Sequence, residues 1–127
     1  MRKLIVCNFM TLDAYYEAKD KTIGPLFEYR HEDYHNDDSF DYYNADLLRA
    51  SDTLVLSGRT SFLGNKNYWT SVPNDPNATA IRREFAGLIQ SVEKIVVSDK
   101  ITKEDLAPWE MRPRQLLHSN GSLAGTF

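Results

Sequence analysis

The run Leu54-Val55-Leu56-Ser57-Gly58-Arg59-Thr60-Ser61-Phe62 decides how this chain is read. Three consecutive apolar residues fit a strand in a sheet covered on both faces. Gly58 permits a tight turn or a close backbone approach to a ligand. Thr60 and Ser61 can cap the helix that follows, and a helix start attracts anions through its unpaired N–H groups and its dipole. Arg59 adds a planar fork matched to phosphate. The stretch reads as a phosphate cradle, or else as an ordinary strand-turn-helix corner with Arg59 in solvent.

Outward from this corner, the pattern alternates between strand and helix. Upstream, Leu4 to Met10 reads as a first strand that leaves through Thr11-Leu12-Asp13. Residues 14–41 are aromatic and acidic and read mostly as loop, and Tyr42 to Ala50 has helical character. Thr53 to Leu56 is the second strand, with a helix near Thr60 to Leu63 and a polar loop from Gly64 to Asn77 that holds Tyr68 and Trp69. Asp75-Pro76 fits a turn before a helix start. In Ala80 to Ser91, Ile81, Phe85, Leu88 and Ile89 fall on one helical face. Lys94 to Ser98 is a β-branched third strand, Thr102 to Leu106 one helical turn, and Leu116-Leu117-His118 a short fourth strand. Such alternation predicts an α/β fold with a mostly parallel sheet flanked by helices. Ligands in these sheets bind beyond the carboxyl ends of the strands. That rule gathers Thr11 to Asp13, Gly58 to Ser61, Ser98 to Lys100 and Ser119 to Ser122 on one edge.

Composition narrows the function classes. A chain of 127 residues is expected to form one domain. The formal charge of −3, with no long basic run, argues against nonspecific nucleic-acid binding. No stretch reaches the roughly 18 apolar residues of a membrane span, and the N-terminus lacks a signal-peptide pattern. One cysteine excludes an internal disulfide, which fits a reducing cytoplasm; Cys7 is expected as a small buried filler of the first strand.

The ordered motifs resemble the dihydrofolate-reductase-like family, in particular the reductase domain of bacterial riboflavin biosynthesis and its small stand-alone relatives. Lys3-Leu4-Ile5-Val6 with Thr11-Leu12-Asp13 is similar to the family's first strand and its Ser/Thr-Leu-Asp-Gly turn. The run from Ala50 to Phe62 resembles its Gly-Arg-x-Thr-aromatic turn, Tyr68-Trp69 a downstream aromatic pair, and Lys94 to Ser98 the strand that ends in serine. The resemblance covers residues 1 to about 109, within a single domain at 1–127 whose residues 110–127 match poorly.

The resemblance implies NADPH as cofactor. It places Arg59 near the 2′-phosphate, Gly58, Thr60 and Ser61 at phosphate, and Ser98 with Lys100 at the adenosine ribose and its phosphate. The turn from His118 to Ala124, with Gly121, Ser122 and Leu123, is similar to the family's pyrophosphate cradle, although Asn120 stands where a smaller residue is common. The implied activity is NADPH-dependent reduction of a small heterocyclic substrate. Asp13 is the candidate proton donor or substrate anchor, or simply a turn-forming aspartate. Thr11, Tyr68 and Trp69 are candidate substrate contacts, with core or rim packing as the alternative for the aromatics. Two departures stand out. Ala14 replaces the family's glycine after Leu-Asp, and the chain is short between Glu110 and Leu116 and ends at Phe127, where relatives continue. The expectation is a C-terminally shortened sheet whose open edge favours a homodimer. A non-catalytic NADPH-binding module is the second reading.

A third reading comes from His31-Glu32-Asp33-Tyr34-His35, which matches a zinc-hydrolase pattern literally. Its flanks, Tyr29-Arg30 and Asn36-Asp37-Asp38, carry no amphipathic helix pattern, so no resident metal is expected.

Overall fold

The structure, a computed structural model, describes residues 3–8, 10–22, 33, 37–111 and 116–118. The chain divides into two compact units, Met1–Asp37 and Asp38–Phe127.

In the first unit, the sequence Thr11-Leu12-Asp13-Ala14-Tyr15 closes on itself. The Thr11 N–H donates to the Tyr15 carbonyl (2.8 Å), the Tyr15 N–H to Thr11 Oγ1 (2.9 Å) and the Ala14 N–H to the Thr11 carbonyl (3.0 Å). This closure drives Ala14 to φ = 68°, in the left-handed region where a Cβ is disfavoured and glycine is the usual occupant. Residues 3–8 and 10 carry no strand, contrary to the expectation for Leu4 to Met10. Leu4, Ile5, Val6 and Met10 are exposed, and so is Cys7, expected to be buried. A strand exists only through a ladder to a neighbour, and none of the described residues pairs with this segment as one.

The second unit alternates as the pattern requires: α1 (Ser39–Arg49), β1 (Thr53–Ser57), α2 (Arg59–Ser71), a 3₁₀ turn (Val72–Asn74), α3 (Ala80–Ser91), β2 (Glu93–Val97), α4 (Lys103–Leu106) and β3 (Leu116–Leu117). The strands form a parallel sheet in the order β1-β2-β3. It is an α/β unit with helices against the sheet. Helix α3 starts where the sequence placed it. The Asp75 side chain accepts from the Asn77 N–H (2.9 Å), and Thr79 caps the helix by accepting from the Arg82 N–H. Ile81, Ala86 and Ile89 are buried, and α1 lies against α3 with Arg82 Nε donating to Asp41 Oδ2 at 3.0 Å.

Two expectations are corrected. The polar stretch predicted as loop from Gly64 is helical through Ser71, so Tyr68 and Trp69 stand on α2. Its asparagines and threonine are weak helix formers, but Asn65 Nδ2 donates to the Ser61 carbonyl and Thr70 Oγ1 to the Lys66 carbonyl. Burial of Phe62 and Lys66 on the inner face overrides propensity. Among the described residues of this unit, the sheet is also covered on one face rather than two. Buried Lys94 and Val96 share the helix-facing side with their register partners Leu54 and Leu56, while Val55 and Val97 on the other side remain 57% and 38% exposed. The core joins Leu48, Phe62, Ile89, Val96, Ile101, Leu106 and Trp109. Among the described residues, no helix is long and apolar enough to cross a membrane.

Candidate functional site

Parallel register brings the carboxyl ends of the strands together. Ser57 is level with Val97, and Val97 with Leu117. The next residues, Gly58, Ser98 and His118, therefore meet at one edge, the edge where open α/β sheets bind ligands.

Gly58 has φ = 73° and ψ = 127° and is the N-cap of α2. A Cβ there would meet none of the described residues within 4 Å. The glycine is needed for its backbone angle, and the space beside it is open. The first intrahelical bond runs from the Phe62 N–H to the Gly58 carbonyl (2.9 Å). The N–H groups of Arg59, Thr60 and Ser61 precede that bond, and no side chain among the described residues caps them. Thr60 and Ser61, expected as caps, lie inside the first turn and are exposed. The reason is that the helix begins one residue earlier, with glycine in the N-cap position. An uncapped start of a 13-residue helix presents N–H donors and a partial positive charge to whatever approaches. This donor set suits an anion such as phosphate.

The Arg59 guanidinium does not hang in solvent. Its Nε donates to Asp105 Oδ2 (3.0 Å) and its Nη2 to Asp105 Oδ1 (2.9 Å), a two-pronged ion pair. Asp105 is itself fixed. Its Oδ2 accepts from the Thr102 N–H at 3.0 Å, while its own N–H donates to Thr102 Oγ1, forming the capping box of α4. The Arg59 bonds, then the Thr102 bond, hold the Asp105 carboxyl below its ordinary range. Arg59 remains half exposed, with three guanidinium N–H groups beyond the two given to Asp105.

Ser98 follows β2 directly. Its N–H donates to the Leu117 carbonyl (2.8 Å), and its Oγ accepts from the Lys100 N–H (3.2 Å). Ser98 and Lys100 thus form a turn at the same edge as Gly58, with Lys100 exposed. The predicted pyrophosphate turn, Gly121, Ser122 and Leu123, lies outside the described residues, as does the His31-Glu32-x-x-His35 motif. Among the described residues, no group of three His, Cys, Asp or Glu could hold a metal.

The candidate substrate residues are distributed differently. Tyr68 is nine residues beyond Arg59 on α2, about 14 Å along the helix axis. Its ring stands edge-on to Trp69 (4.8 Å between centroids), and Trp69 lies against Phe85 of α3 at 4.5 Å. Trp69 therefore joins the core packing, and Tyr68 is the exposed member of the pair. Thr11 and Asp13 belong to the closed turn of the first unit, with Asp13 exposed.

Two buried cations were not foreseen. Lys66 Nζ donates to the carbonyls of Asp105 and Ala107. Lys94 Nζ donates to the carbonyls of Gln90 and Val92 (3.0 Å each) and lies 5.0 Å from the Trp109 ring centroid. Lys94 borders a shallow recess with Gln90, Pro108, Trp109 and Glu110, at the amino end of β2 and so away from the Gly58 edge. Asp105 was also missed, although Thr102-Lys103-Glu104-Asp105 carries the four-residue spacing of a capping box. The seven-residue spacing of Arg59 and Lys66 likewise puts both on one helical face.

No protein-family model, curated protein or solved structure matches this chain.

Proposed function

We propose that the edge formed by Gly58, Arg59, Thr60, Ser61, Ser98 and Lys100 holds the phosphates of NADPH, and that the chain is an NADPH-dependent reductase of a small heterocyclic substrate. The observation that carries this reading is the uncapped start of α2, behind a glycine at φ = 73° with open space beside it and an arginine immediately after. The finer fold is proposed to be dihydrofolate-reductase-like, on the motif order from Lys3 to Ser98. When bound, the cofactor supplies the hydride. The chain's part is to fix the nucleotide by its anionic groups. Asp13 is the proposed proton donor or substrate anchor, with Thr11, Tyr68 and Trp69 as substrate contacts and Gly121, Ser122 and Leu123 at the pyrophosphate. The same reading includes a cytoplasmic homodimer that binds neither nucleic acid nor membrane.

The test is titration of wild type and Arg59→Ala with NADPH and NADH. The expected result is a wild-type preference for NADPH that Arg59→Ala largely removes. Equal wild-type affinity for the two cofactors refutes the role of Arg59, and no binding of either refutes the cradle.

A further inference from the structure

We infer that Asp105 is a positioning residue for nucleotide selection: it fixes the Arg59 guanidinium so that its outer N–H pair is presented to a 2′-phosphate. The inference rests on the proposed NADPH cradle and adds to it a residue on a different element, 46 positions downstream.

The geometry has three parts. First, Asp105 takes the Nε and Nη2 side of the guanidinium. Five N–H groups in a rigid plane leave three after that pairing, among them the end-on pair that binds phosphate in two-pronged fashion. Carboxylate and phosphate can therefore occupy two edges of the same plane. Second, the post that holds Arg59 is anchored on every side. Thr102 N–H holds Asp105 Oδ2, Lys66 Nζ grips the Asp105 carbonyl, and the next residue, Leu106, is in the core. Third, Arg59 needs such a post. It follows the unusual backbone of Gly58, its side chain is half exposed, and a long side chain that stays free loses rotamer entropy when it binds.

Asp105 also carries charge of the same sign as phosphate. Across the width of a guanidinium the separation is shorter than the Debye length of about 8 Å at physiological salt, so salt screens that repulsion only in part; the Arg59 charge, however, lies between the two anions and makes direct charge-assisted hydrogen bonds to each. Positioning is therefore expected to outweigh repulsion.

The experiment is titration with NADPH and NADH at 0.15 M ionic strength, with the melting temperature of each variant recorded. Asp105→Ala is expected to weaken NADPH binding roughly three- to tenfold while NADH binding stays near wild type. Asp105→Asn, which keeps an acceptor for the Thr102 N–H, is expected to reach the wild-type fold with a lower melting temperature at neutral pH and to lose a smaller part of the preference. Thr102→Ala removes the hydroxyl from the capping box and leaves both Arg59 bonds. It is expected to lower the melting temperature with the NADPH-to-NADH ratio unchanged. A wild-type preference that persists in both Asp105 variants overturns the positioning role and leaves the cradle standing. Tighter NADPH binding in those variants makes Asp105 a competitor of phosphate and also overturns it. A wild type that binds neither cofactor overturns the cradle and the inference together.

Discussion

The Lys66 side chain on α2 donates to the main-chain carbonyl of Asp105, the residue whose carboxylate Arg59 holds from the same helix. Arg59 and Lys66 stand two turns apart on one face. Between them Phe62 is buried, with its ring edge-on to Trp109 at 5.7 Å. This face of α2 therefore fixes α4 and the segment after it through a carboxylate, two carbonyls and an aromatic contact. Lys66→Met keeps most of the apolar stem and removes the donor from the carbonyls of Asp105 and Ala107. The expected cost is about 1–2 kcal/mol, as for groups left without a partner but near water. Urea unfolding of the two proteins measures it, with an unchanged slope and a lower midpoint.

Ala14 occupies a left-handed backbone position inside the Thr11–Tyr15 turn. Ala14→Gly removes a strain of roughly 1–2 kcal/mol and adds back part of it as unfolded-state entropy. The net expectation is a turn steadier by up to about 1 kcal/mol. Slower hydrogen exchange at the Tyr15 amide, which donates to Thr11 Oγ1, reads this directly.

The acid limb of stability should carry the mark of Asp105, whose carboxyl is held low chiefly by Arg59. With a folded value below the unfolded one, its contribution is fully present above the ordinary aspartate range near pH 4. It declines as pH falls toward the lowered folded value, because the unfolded chain takes up the proton first. Melting temperatures of wild type and Asp105→Asn should therefore converge between roughly pH 5 and pH 2. A gap that stays constant across that range contradicts the ion pair.

At the alkaline end, Lys94 gives the mirror case. Burial pushes its amine below the ordinary lysine value of 10.5. The folded state then releases its proton before the unfolded state does, so stability relative to Lys94→Met should rise with pH from the lowered folded value up to about 10.5 and level off above it. Chemical denaturation of both proteins at a series of pH values rising toward 10.5 checks the slope. A difference that is flat with pH shows that Lys94 is not desolvated.

Much of the second unit was legible because its signals are local. Ile81, Phe85, Leu88 and Ile89 declared α3 by period, and Ile95-Val96-Val97 declared β2 by branching. Glycine at 58 declared the break between β1 and α2. The extension of α2 to Ser71 was not legible, since Gly64, Asn65 and Asn67 are poor helix formers held by a buried inner face. The one-sided sheet was not legible either. An apolar triplet such as Leu54-Val55-Leu56 reads identically whether Val55 meets a helix or water. At the site, Arg59 and Ser98 were readable from motif and strand ends, but their neighbours were not. Asp105 reaches Arg59 only through tertiary packing, and the single clue was the capping-box spacing from Thr102. Lys66 and Lys94 illustrate the same limit, because a lysine with a long apolar stem can be buried with its amine satisfied by carbonyls.

Strand β1 pairs with β2 and has no second neighbour among the described residues. Along Thr53–Ser57, no charge or proline blunts the side turned away from β2. Sealing that row from within the same molecule is a first-order event, whereas zippering onto another molecule is second-order. Dilution favours the first and crowding the second, so the bare edge makes self-association depend on protein concentration.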